Sequence, residues 1–161
     1  MILVMNNDSK FFPLFIDIKN KKILVVGGGT IATRRVKTLL NFGASIEVVS
    51  PHVTEELREL ENKKYIRVEY RKFISKDIDG CILVVAATND RETNHLIGEE
   101  AKKQSIFTSV ADCKEESTFY FPAIFEDERI IGGLVSKGGN DHKRVRKTAE
   151  ELRAFLNKEE I

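Results

Sequence analysis

The spacing of apolar and polar positions along the chain alternates between two periods. Ile23 to Val26 is a continuous apolar run that enters Gly27-Gly28-Gly29, and Ile31, Val36, Leu39 and Leu40 then recur at helical spacing up to Gly43, which is placed to end a helix. Ser45 to Ser50 reads as a second strand stopped by Pro51. Thr54 is a good N-cap for a second helix, with Glu55 and Glu56 in the first turn where the helix dipole favours acids. Ile66 to Arg71 alternates strictly, as a short half-buried strand near a sheet edge does. Cys81 to Ala87, in contrast, is apolar throughout and belongs in the middle of a parallel sheet. A helix over Arg91 to Gln104 and a strand over Ile106 to Val110 complete the alternation, which predicts an α/β fold with a doubly wound parallel sheet.

The two ends follow other rules. Residues 1–10 read as a frayed or weakly docked start, and Phe11 to Ile18 is apolar but holds Pro13, which suits an edge or docking segment better than a central strand. Past Asp112, Phe119 to Phe125 and Arg129 to Ser136 are β-like runs separated by Glu126-Asp127-Glu128, a hairpin pattern. A basic helix follows, with Val145, Ala149, Leu152, Phe155 and Leu156 at helical spacing. The expected division is a nucleotide-binding domain over 1–115 and a hairpin-plus-helix segment over 116–161. That tail is too short to bury a core of its own, so it packs on the first domain or on a second subunit.

Composition narrows the partners. The 161 residues suffice for one well-buried core with an appendage. With 26 basic and 25 acidic side chains the chain is close to neutral, which gives no global case for nucleic acid or a membrane surface. Cys81 and Cys113 form neither a disulfide framework nor a CxxC metal pair, so the expected compartment is the cytoplasm. No apolar run nears the ~20 residues of a membrane span, and MILVM lacks the basic lead and long apolar core of a signal peptide. His52, His95 and His142 are scattered, so no metal site is expected.

Candidate chemistry starts at the glycines. Gly27, Gly29 and Ala32 fit the G-x-G-x-x-G/A spacing of a Rossmann-type nucleotide site, in the strand, turn and helix context it requires. Gly27 permits the tight turn, Gly29 lets backbone approach a pyrophosphate, and Ala32 lets the helix pack closely on the strand. The amides at the helix start, around Gly28 to Ile31, would face the anion. The competing reading is a tight turn without a ligand. No Y-x-x-x-K occurs, since Tyr65, Tyr70 and Tyr120 are followed four residues later by Glu69, Ile74 and Ile124, which sets aside a short-chain dehydrogenase.

Four stretches in order, FPLFIDIKNKKILVVGGGTIATRRVKTLLNFGA, DIDGCILVVAATNDRETN, SVADCKEESTFYFPAI and LVSKGG, resemble the precorrin-2 dehydrogenase family, whose bifunctional members are also sirohydrochlorin ferrochelatases. The match runs from about Phe12 to Arg153. The resemblance implies NAD-dependent oxidation of precorrin-2 to sirohydrochlorin, on the route to siroheme or a cobalamin-type product, in a homodimer built through the segment after the Rossmann-type domain. Bifunctional members usually continue into a further helical region, so ferrochelatase activity is the less expected half.

With that reaction in view, Asp112 is the candidate acid-base residue. It follows the strand Ile106 to Val110 at the carboxyl edge where open α/β sheets hold ligands, and it matches the aspartate of the family's VVD-like motif. Its competing role is a turn aspartate. Thr88-Asn89-Asp90 resemble the family's AATDD stretch and are expected on the cofactor ribose or nicotinamide, although Asn89 or Asp90 can equally cap the next helix. NAD enzymes of this fold often carry an acid at the end of the second strand, yet here stand Ser50-Pro51-His52-Val53, with Glu47 too early. Adenosine is therefore expected on the backbone and small polar groups of 50–53, and the choice of NAD over NADP rests on the resemblance.

Substrate contacts are expected at Ser136, Lys137 and Gly138, within a stretch, Ser136 to His142, that departs from the family's usual S-S/T-G-G-x-S-P. Lys143 and Arg144, with Arg146 and Lys147, offer cations to substrate carboxylates, or else form a solvated helix face. A rival function is a nucleotide-sensing regulatory domain that shares the glycine turn and performs no reaction.

Overall fold

The computed structural model describes residues 12–138 and 141–157. Residues 1–11, Gly139, Asn140 and residues 158–161 lie outside it, and with them the expected weak start of the chain and part of the expected substrate loop. Two compact units emerge, one over Ile16–Phe119 and one holding the chain from Tyr120 together with residues before Ile16.

The first unit is a five-stranded parallel sheet of order β3-β2-β1-β4-β5. Its strands are β1 (Lys22–Val26), β2 (Ser45–Val49), β3 (Ile66–Glu69), β4 (Leu83–Ala86) and β5 (Phe107–Val110). The helices α1 (Thr30–Leu40), α2 (Glu55–Asn62) and α3 (Arg91–Lys103) alternate with them. The strand order reverses at β1, which pairs with β2 on one side and β4 on the other. Right-handed crossovers in the two directions place α1 and α2 on one face and α3 on the other.

Continuous apolar runs end where both faces are covered. Ile23, Leu24 and Val25 of β1 expose nothing, and all four residues of β4 are buried. Leu24, Val26, Val84, Ala86 and Val110 form a core cluster with Ile97 and Ala101 of α3 and with Ile78. Thr54 caps α2 through its hydroxyl, with Glu55 and Glu56 in the first turn, as its sequence predicts.

Differences from the sequence pattern have local causes. β3 stops at Glu69 because the Arg71 amide turns back to the Glu69 carbonyl, and the Arg71 side chain leaves the sheet to grip Asp77 at 2.8 and 2.9 Å. Asp77 sits in a 3-10 turn, Ser75–Ile78, that delays β4 to Leu83. Residues 12–18 join neither sheet.

In the second unit β6 (Ala123–Glu126) and β7 (Ile131–Leu134) form an antiparallel pair, and α4 (His142–Leu156) packs on β6. The strands are shorter than the apolar runs. Thr118 and Phe119 donate their amides to the Thr108 carbonyl, which holds them at the edge of β5, and Pro122 has no amide to donate. Asp127 Oδ1 accepts the amides of Arg129 and Ile130, extending the turn. The Phe125 ring lies over Gly132, where an added Cβ would stand 2.1 Å from it and displace the ring. Among the described residues no helix is long and apolar enough to cross a membrane.

Candidate functional site

The carboxyl edge of the parallel sheet carries the turn after β1, and each of its three glycines has a different reason to lack a side chain. Gly27 has φ +115°, and a Cβ on it would lie 2.2 Å from the Ala87 carbonyl oxygen, so the loop after β4 closes directly over it. A Cβ on Gly28 would collide with backbone at His52 and Val53 in the loop after β2. That loop is bound to the turn through the Thr54 amide, which donates to the Gly28 carbonyl at 2.9 Å. Gly29 differs from both, with φ −86° and nothing within 4 Å of an added Cβ. Neither backbone conformation nor neighbouring atoms require glycine there.

The space kept open by Gly29 lies at the start of α1, which has no side-chain cap and no acidic residue in its first turn. Exposed first-turn amides and the positive end of the helix dipole favour an anion. Gly29 and Thr30 are exposed, Ile31 is half exposed, and Ala32 is fully buried where the helix packs on the sheet. Open space beside bare backbone and an uncapped helix start are the features that a pyrophosphate site requires of such a turn.

Around it, Ser50 is buried and its hydroxyl donates to the His52 carbonyl at 2.7 Å, so it shapes the loop, while Pro51 and His52 are exposed and Val53 is half-buried. After β4, the Thr88 hydroxyl and amide are both held by Asn94 Oδ1, at 2.7 and 3.0 Å. Asp90 caps α3: its carboxylate accepts the Glu92 amide at 3.1 Å and the Thr93 hydroxyl at 2.6 Å. The Thr93 hydrogen bond, with those of the neighbouring amides, holds the Asp90 carboxyl below its usual value. Asn89 remains exposed at the edge.

Asp112 follows β5 at the same edge and is gripped on both oxygens. Arg91 Nη1 donates to Oδ1 and Asn94 Nδ2 to Oδ2, each at 3.0 Å. The other arm of Arg91 reaches Glu116 Oε1, which also lies 2.9 Å from His95 Nδ1. Arg91's hydrogen bond, reinforced by His95, keeps the Glu116 carboxyl below its usual value. Arg91 and Asn94 escape a reading of the sequence. For Asn94 one signal exists: it stands on the buried stripe of α3 with Ile97, Gly98 and Ala101, where an apolar residue is expected.

In the second unit Asp141 caps α4 by accepting the Arg144 amide at 3.0 Å, and its own amide donates to the Ser136 hydroxyl at 3.3 Å. Arg146 and Lys147 pair with Glu150 and Glu151 one turn on along their own helix. Lys137, Gly138, Lys143 and Arg144 are exposed. The described residues contain no group of three or more His, Cys, Asp or Glu able to hold a metal ion.

Fold and edge together define a dinucleotide-binding α/β module. A family described as "Putative NAD(P)-binding" matches residues 14–123. The solved structure of SirC, precorrin-2 dehydrogenase, superposes with a TM-score of 0.76 at 32% identity, covering 90% of this chain and 71% of that one. The "Probable multifunctional siroheme biosynthesis protein HemA" of Ruminiclostridium josui is 56% identical over 151 residues, 92% of this chain and 29% of that protein. The siroheme synthase of Nitrosococcus oceani is 36% identical over 131 residues, 81% of this chain and 28% of that protein. The chain spans about three-tenths of the length of these curated relatives. It belongs to the NAD(P)-binding family of that match and to the precorrin-2 dehydrogenase family that SirC represents.

Proposed function

We propose that this chain oxidises precorrin-2 to sirohydrochlorin with NAD, with Asp112 as the acid-base residue. The observation that carries the reading is the placing of the Asp112 carboxylate, oriented on both oxygens, at the sheet edge that also holds the open Gly29 cradle. The reaction removes one hydride and one proton from the tetrapyrrole, giving sirohydrochlorin, NADH and H+. The bound nicotinamide supplies the hydride acceptor. The chain supplies the rest. The first turn of α1 binds the pyrophosphate, Thr88 and Asn89 border the nicotinamide end, and Asp112 receives the proton and passes it to solvent, to which it is open. Ser50 to Thr54 carry neither an acid for the ribose 2′-hydroxyl nor an Arg or Lys for a 2′-phosphate, so the choice of NAD over NADP is carried by the family resemblance.

In this reading the exposed Lys137, Lys143 and Arg144, with Ser136 and Gly138, meet the carboxylates of the substrate. A second copy of the chain completes the assembly, in the cytoplasm. The deciding experiment is anaerobic incubation with enzymatically made precorrin-2 and either NAD or NADP, following product absorbance and reduced nicotinamide together. Equal molar appearance of sirohydrochlorin and NADH is expected. NADH binding without any turnover would instead mark a nucleotide-sensing domain.

A further inference from the structure

Asn94 has no exposed surface, and every hydrogen-bonding position of its amide is filled. Oδ1 takes the Thr88 amide and hydroxyl, while Nδ2 donates to the Thr88 carbonyl at 3.1 Å and to Asp112 Oδ2 at 3.0 Å. One buried side chain thus joins the loop after β4 to the carboxylate after β5. A buried amide on an apolar stripe is costly unless all its partners are present, and a helix that needed only packing there would carry an aliphatic residue. Arg91, three residues earlier on the same helix face, reaches the other oxygen. Its guanidinium is itself fixed from the far side by Glu116, which His95 also holds, so Nη1 has one direction in which to point.

We infer that Arg91 and Asn94 are positioning residues that hold the Asp112 carboxylate in its reacting orientation, and that Asn94 couples this orientation to the cofactor-side loop at Thr88. The inference rests on the assignment of Asp112 as the acid-base residue. The two arms have separable signatures. The side-chain hydrogen bonds of Arg91 among the described residues go to the carboxylates of Asp112 and Glu116, so its loss acts on turnover. Asn94 also braces Thr88, so its loss acts on turnover and on cofactor binding.

The test measures kcat for precorrin-2 oxidation and NADH affinity on the full chain for Arg91→Met, Arg91→Lys, Asn94→Ala and Asp112→Ala, and for Arg91→Met and Asn94→Ala each combined with Asp112→Ala. Misplacing a reacting group costs about 10- to 100-fold, so Arg91→Met is expected to lower kcat by that order with NADH affinity unchanged. Arg91→Lys should recover part of the loss, and Asn94→Ala should lower both kcat and NADH affinity. In the Asp112→Ala background Arg91→Met should lower kcat no further, because it acts through the missing carboxylate, while Asn94→Ala should still lower NADH affinity through Thr88. Wild-type kcat in folded Arg91→Met, or an Arg91→Met loss that adds fully to that of Asp112→Ala, would overturn the inference. Wild-type kcat in Asp112→Ala alone would remove the acid-base assignment, and the positioning role with it. Should Asn94→Ala fail to fold, the half-exposed Arg91 arm decides for the pair.

Discussion

A Cβ on Gly28 would stand 2.0 Å from the carbonyl oxygen of His52, so the turn after β1 and the loop after β2 touch through bare backbone. Gly29, the next residue, has ordinary backbone angles and open space beside it. Neighbouring glycines therefore serve opposite masters, the fold and the ligand. Gly28→Ala is expected to cost about 1–3 kcal/mol of stability, since backbone must shift to admit the methyl group. Gly29→Asp should leave stability unchanged or raised by up to about 1 kcal/mol, because aspartate is a favoured N-cap and its charge suits the helix end. The same carboxylate fills and repels the pyrophosphate position, so NADH affinity should fall. Urea denaturation and NADH titration of both variants check this; undiminished affinity in folded Gly29→Asp would displace the cradle from the turn.

The second expectation concerns acid. Burial pushes the Asp77 carboxyl up, but the Arg71 hydrogen bonds, the Ile74 amide and the charges of Arg71 and Lys22 outweigh it, and the folded-state value lies below the ordinary 3.8. The unfolded chain thus takes up this proton more readily. The stabilisation is present above 3.8 and is lost as pH falls from there through the lower folded value. Asp77→Asn should cost about 2 kcal/mol at neutral pH, as loss of charged hydrogen bonds does. Its denaturation midpoint should also fall less steeply than that of the wild type as the pH drops below 3.8. Parallel pH profiles for the two proteins would show that Asp77 is not the linked group.

Much of the sheet is legible from the sequence because burial on two faces leaves a continuous apolar run, as in β4, and burial on one face leaves alternation, as in β3. The glycine turn is legible for a similar reason, since its constraints are local. Ser75–Ile78 is not, because its order comes from the ion pair of Asp77 with Arg71, and two charges in a polar stretch do not announce that they meet. Arg91 is invisible on the same ground. Asp90 shows the ambiguity of a single residue type, for the features that suit a carboxylate to a ribose suit it equally to a helix cap, and here it caps α3.

Asp112→Ala should slow precorrin-2 oxidation by roughly 10²–10⁴-fold, the usual contribution of general acid-base catalysis, with NADH binding nearly intact. Asp112→Asn refines the comparison, since it keeps an oxygen for one of the two donors and loses the proton acceptor. A residue that merely shaped the turn would instead show a stability loss of about 1 kcal/mol with turnover per folded molecule unchanged. Turnover and thermal unfolding measured on one preparation separate the two roles.

The last expectation is dimerisation through the second unit. Its hairpin has two strands and its helix buries only Ala149 among the described residues. Ile130, Ile131, Val135 and Phe155 remain 44 to 58% exposed, and Phe12 and Leu14 of the same unit 85 and 62%. A two-stranded hairpin with one helix is marginal when its apolar surface faces water, and a stable interface needs to bury about 1,200–2,000 Å² in total. A second copy covers such a surface without new sequence. The full chain is expected to sediment as a dimer at micromolar concentration. Phe155→Glu should weaken that dimer about 10-fold or more, the effect of losing an aromatic anchor worth roughly 2 kcal/mol. NADH affinity should survive the substitution, because Gly29, Thr30 and Thr88 all belong to the first unit. A wild-type chain that sediments as a well-behaved monomer throughout this range would refute the pairing, and a Phe155→Glu protein that dimerises as tightly as wild type would move it to another face.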